Sequence, residues 1–164
     1  MKKYYVNTKG YTLIELIVVL SILGIVMSSV YAFLTTNIKS FSRADNQMEV
    51  QYQAQIVMDR LADHAMEAAR VFTHGEVIVF ERIEGMGKKK YILYRLNGTE
   101  KRLYITESNL LTAEPTTLLA DYISNINIIP TSGNAGIEIT VTTHKNGATI
   151  SLENTIYFRN NTNP

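Results

Sequence analysis

Lys9-Gly10-Tyr11-Thr12-Leu13-Ile14-Glu15-Leu16 opens an apolar block that continues as LIVVLSILGIVMSSVYAFL over residues 16–34. From residue 11 to residue 38 the only charged side chain is Glu15, whereas residues 1–10 carry Lys2, Lys3 and Lys9 and no acid. The 19 residues of the apolar centre, at about 1.5 Å per helical residue, cover roughly 28 Å, close to the hydrocarbon thickness of a bilayer. A membrane-spanning helix is expected over about residues 12–38. Its basic flank should stay in the cytoplasm and leave the C-terminal part outside.

Two other readings fit part of this pattern. A secretory signal also has a basic start, and Val30-Tyr31-Ala32 offers small residues for cleavage. Its apolar region, however, runs to only about 7–15 residues. A plain signal anchor accounts for the length and leaves Glu15 unexplained. A carboxylate at the edge of a span costs on the order of 2–3 kcal/mol unless it is partnered or near the interface. Thr12-Leu13-Ile14-Glu15 has capping-box spacing, and an acid in the first turn suits the positive end of a helix. That explains where a helix starts, but not why the basic segment ends in Gly10 just before the apolar block.

The stretch from Lys9 to Leu16 resembles the processing and assembly signal of type IV prepilins and type II secretion pseudopilins. The resemblance implies that residues 1–10 are a leader, removed after Gly10 by a membrane prepilin peptidase. It also implies that the new terminus, Tyr11, is N-methylated. Tyr11 stands where the family usually has Phe, an aromatic of similar shape. Glu15 would then be the carboxylate required for filament assembly. Cleavage creates an amine that is poorly solvated inside a filament, and a carboxylate from a neighbouring helix can neutralise it. One such pair would fix the stagger between subunits while apolar side chains supply the packing.

Residues 40–70 contain no Pro or Gly. Met48, Tyr52, Gln55, Met58, Ala62, Ala65 and Ala69 step at threes and fours, and Ile56 and Leu61 widen the stripe. Arg43, Asp45, Glu49, Asp59, Arg60, Asp63 and Glu67 suit a solvated face. The expected helix is therefore nearly continuous over residues 11–70, with Gly24 and Ser28-Ser29 as weak or close-contact points. The apolar segment has no Pro, so no Pro kink is expected.

Beyond Gly75 the period changes to that of strands. Residues 76–83 are β-rich, and residues 91–96 and 102–106 flank Asn97-Gly98 as a hairpin. Residues 85–90 read as a loop whose Lys88, Lys89 and Lys90 form either a solvated tip or a contact for an acidic partner or phosphates. Residues 117–124 suggest a helical turn, 126–129 a strand closed by Pro130, and 131–136 a loop. Residues 137–142 alternate cleanly, Asn146-Gly147 turns the chain, and residues 150–158 alternate again apart from an inward Asn154. Residues 160–164 read as a frayed tail.

These patterns predict an α+β, pilin-like fold: a long N-terminal helix packed on an antiparallel head over residues 71–164. The order of elements, with Leu118-Leu119-Ala120-Asp121-Tyr122-Ile123-Ser124 before a terminal hairpin, resembles W/J-type minor pilins and pseudopilins.

Sixteen basic and fifteen acidic residues give a formal charge of +1, which provides no electrostatic case for general nucleic-acid binding. The absence of Cys excludes disulfides and thiolate metal sites. His64, His74 and His144 lack ligand spacing, and no phosphate loop or nucleophile motif is present. No cofactor, metal or enzymatic activity is expected. The implied partners are the prepilin peptidase, other pilin or pseudopilin subunits, and the cytoplasmic or inner membrane before assembly. A different class remains open: a membrane-tethered head that captures DNA, a surface or a secreted substrate.

Overall fold

The computed structural model describes residues 10–131 and 135–158. The basic residues of the leader and the 160–164 tail lie outside the described residues, as does part of the 131–136 loop. Helix α1 spans Leu13–Glu67, and among the described residues eight strands follow. The chain forms two compact units, Met1–Ser42 and Arg43–Pro164.

In the first unit α1 is apolar on all sides, and among the described residues none of its most apolar 18-residue window is buried. Ile17, Leu20, Leu23 and Val26 are each about half exposed, and Phe33 more so.

The second unit has its own core. Val50, Ala54, Val57, Met58, Leu61 and Ala65 form the buried row of α1. This row shares Met58, Leu61 and Ala65 with the expected stripe but departs from it earlier, where Met48, Tyr52 and Gln55 are exposed and Val50, Ala54 and Val57 are buried instead. Both rows have helical spacing, so periodicity alone permits either. The buried row joins Val50, Val57 and Leu61, and Ala54 and Ala65 leave little bulk between helix and sheet.

The helix ends at Glu67, short of residue 70. Ala69 N–H donates to Glu81 O at 2.8 Å, so the chain passes straight from helix into sheet. The first strand, β1 (Arg70–His74), lies between the expected helix and the strand-like run beyond Gly75. It pairs with β2 (Val77–Glu84) through a turn in which Gly75 takes φ +62°. The β-prone Val71-Phe72-Thr73 triplet, with a glycine available for positive φ, favours this hairpin over more helix.

Strands β3 (Lys88–Asn97), β4 (Arg102–Ser108) and β5 (Thr117–Ala120) complete an antiparallel sheet in the order β1-β2-β3-β4-β5. Residues 117–120 are thus strand, not helical turn; β5 pairs with β4 across a register shift. The Asn97-Gly98 turn is also longer than expected. Asn97 pairs with Arg102, and its Oδ1 accepts the N–H groups of Thr99 and Glu100 at 3.2 Å each. Asn97 thus acts through its side chain rather than as half of a two-residue turn.

A second antiparallel sheet contains β6 (Ile123–Pro130), β7 (Gly136–Lys145) and β8 (Ala148–Tyr157), in that order. Among the described residues the head therefore has two antiparallel sheets. The terminal hairpin turns at Asn146 (φ +46°) and Gly147 (φ +84°), as their residue types suggest. Ile137, Ile139, Val141 and Thr143 point into the core. Thr143 is fully buried, and its Oγ1 donates to Val50 O on α1 at 2.9 Å. Asn154 lies opposite Ile139 yet is exposed, which leaves its amide in solvent rather than in the core. The fold is α+β, one long helix with residues 43–67 packed on antiparallel sheets.

Candidate functional site

Gly10, Tyr11 and Thr12 precede the helix. Thr12 is its N-cap: Oγ1 accepts the Glu15 N–H at 3.3 Å, and the Thr12 carbonyl accepts the Leu16 N–H at 3.2 Å. The threonine half of the capping box is therefore formed. Among the described residues the Glu15 carboxylate makes no reciprocal hydrogen bond and no ion pair, and it is exposed. Gly10-Tyr11 lies outside the helix, with Tyr11 85% exposed.

The polar side chains further along the span are satisfied within it. Ser21 donates to Ile17 O at 2.8 Å, Ser28 to Gly24 O at 2.8 Å and Ser29 to Ile25 O at 3.0 Å. Thr36 donates to Ala32 O at 2.9 Å and Asn37 to Phe33 O at 2.8 Å. Such back-bonding lets hydroxyls sit in an apolar medium without a separate partner. The most apolar 18-residue window of α1 has a mean hydropathy of 2.5. Glu15 is thus an ionisable group at the start of a segment otherwise suited to lipid or to other helices.

The other candidates lie in the second unit and do not converge. His64 is on α1, His74 ends β1 and His144 is on β7. His64 Nδ1 is 2.5 Å from the hydroxyl of Tyr94, whose ring is fully buried and packs edge-on against Phe80. Burial lowers the pKa of His64, with Arg60 adding to the effect, and burial raises that of Tyr94. His144 Nδ1 contacts Thr149 Oγ1 at 2.8 Å. Among the described residues no three His, Asp or Glu side chains gather as metal ligands.

Lys88, Lys89 and Lys90 belong to β3, not to a loop. The turn before them is Gly85–Gly87 alone. Lys89 is 2.8 Å from Glu81, which also pairs with Arg70 at 3.2 Å. Lys90 is 2.8 Å from Glu107, and Arg82 reaches Glu67 and Glu84 at 2.6 Å each. Cross-strand pairing therefore consumes two of the three lysines that suggested a basic tip. In the β2–β3 register only Lys88 faces an acid, Glu84; Lys89 and Lys90 lie opposite Ile83 and Arg82 and reach their glutamates diagonally or on β4.

Residues 6–31 match a family model described as the prokaryotic N-terminal methylation motif. No curated protein matches the chain. The motif covers the end of the basic segment, Gly10, Tyr11, Glu15 and most of the apolar span. Prepilin peptidase processing and assembly with other pilin subunits are what this motif implies, and the apolar helix marks a single-pass membrane anchor. The N-terminal segment is thus of the prepilin type, similar to that of type IV pilins and pseudopilins.

Proposed function

We propose that the protein is a minor pilin or pseudopilin, cut after Gly10, methylated on the amine of Tyr11 and drawn from the membrane into a filament through α1. The observation that carries this reading is the match over residues 6–31 around a lone carboxylate, Glu15, on an uncovered apolar helix. In this reading residues 1–10 are the leader, residues 11–70 the helix with its membrane part near 12–38, and residues 71–164 the head. The N-terminus faces the cytoplasm and the head ends outside. The carboxylate of Glu15 neutralises the amine of a neighbouring subunit's Tyr11, a pairing that compensates two charges held away from water. The two-sheet head ending in a long hairpin supports the W/J-type affinity.

Mass spectrometry of the mature protein tests the processing. The expected N-terminus is Tyr11 carrying one added methyl group. Retention of Met1, or a terminus after Ala32, would overturn the reading.

A further inference from the structure

The two sheets have four edge strands, and three are blunted. β1 has only five residues. β5 has four and joins β4 through a register shift. β6 contains a register shift and ends in Pro130. Short length, bulges and proline are the usual means by which edges resist pairing with other chains. β8 has none of them. It runs ten residues, Ala148–Tyr157, pairs with β7 in unbroken register from Gly136↔Tyr157 to Lys145↔Ala148, and contains no Pro, Lys or Arg. Among the described residues no other segment's backbone pairs with its outer edge.

The two faces of β8 differ. Ile150 and Leu152 are half-buried on the core side, so a further strand would extend their cover. Thr149, Ser151, Glu153 and Thr155 are exposed on the other face. Glu138 of β7 lies diagonally beside Glu153, whose carboxylate raises the pKa of Glu138. This acidic pair discriminates among occupants. In a second copy paired antiparallel about Leu152, two Glu153 and two Glu138 side chains would share one face. Centring the pair on Glu153 would set like charges directly opposite, which is destabilising. Registers one residue out would turn each inner face onto the partner's outer face. A strand with a basic residue at that position relieves the repulsion instead.

We propose that the outer edge of β8 is an assembly surface that accepts, by strand addition, an extended segment of a partner protein with apolar residues on one face and a lysine or arginine set against Glu153 on the other. Backbone hydrogen bonds along the edge supply the attachment, and the charge selects the partner. The surface does not depend on processing at Gly10, so the two ideas fail separately.

The test uses the full-length protein in detergent micelles and two labelled ten-residue peptides of alternating Val and Thr. One carries Lys and the other Glu at a central Thr position. The Lys peptide should bind about tenfold more tightly, equivalent to about 1.4 kcal/mol, because opposite charges across strands attract and like charges repel. Amide hydrogen exchange should slow in residues 148–157 and not elsewhere. Because Glu153 is exposed, Glu153→Lys should leave the thermal midpoint unchanged and reverse the preference. Equal binding of the two peptides, absence of added protection in β8, or protection of β8 by self-association of the wild-type protein at neutral pH would each overturn the proposal.

Discussion

Glu15→Gln removes a charge while keeping the shape of the side chain, and the Thr12 cap needs only the backbone N–H of residue 15. The helix should therefore start where it does now and cleavage after Gly10 should proceed. Incorporation into filaments should fall at least about tenfold, because an amine is left without its counter-charge. Immunoblots of the cell-bound and sheared filament fractions would measure this; normal incorporation would remove Glu15 from the assembly role. Gly136 presents the opposite situation. A Cβ there would lie 2.2 Å from Ile156 O and 2.9 Å from Tyr157 Cα, both backbone atoms that cannot swing aside. Gly136→Ala should cost about 1–3 kcal/mol of stability, as overpacking does, read as a lower urea midpoint. Glu15 is legible in the sequence as a lone charge in an apolar block. Gly136 reads as one more loop residue, since only the approach of β8 makes a methyl group there intolerable.

At the scale of elements, residues 43–67 show how far periodicity reaches. Leu61→Ala should cost about 2–5 kcal/mol, the usual range for a buried leucine. Tyr52→Ala, on the expected but solvent-facing row, should stay within about 0.5 kcal/mol. Comparable losses in the two variants would contradict the observed burial along the helix. The contact between α1 and β3 should also respond to pH. His64, facing Tyr94 and surrounded by Arg60, Asp63, Glu67 and Glu107, has its pKa lowered from 6.5, first by burial and then by Arg60. The unfolded chain therefore binds this proton more readily than the folded one. The contribution of His64 to stability is complete above about pH 6.5 and is lost as pH falls through its lowered folded value. The urea midpoint should drop between pH 7.5 and 5.5, and His64→Leu should flatten that slope. Glu107, held below its ordinary 4.5 by the hydrogen bond from Lys90, adds its loss only at lower pH. A slope unchanged in His64→Leu would assign the effect elsewhere.

For the whole molecule, the core residues from Val50 to Ile156 all lie in the second unit. A protein lacking residues 1–42 should therefore unfold cooperatively in buffer without detergent, with a midpoint close to that of the full chain. Loss of a cooperative transition, followed by circular dichroism, would show that the first unit supports the fold. What the sequence determined by itself is local: a lipid-length apolar helix, its single carboxylate, the strand period of residues beyond Gly75 and the terminal hairpin at Asn146-Gly147. Hydropathy, period and turn chemistry are written in neighbouring residues, so they survive reading in one dimension. Tertiary structure alone decided which helical row is buried, that residues 70–74 and 117–120 join a sheet, that the head has two sheets, and that Lys89 and Lys90 are neutralised by Glu81 and Glu107. These depend on which strands lie side by side. Two equally periodic rows, or a lysine in solvent and a lysine beside a glutamate, differ only in what the rest of the chain places against them.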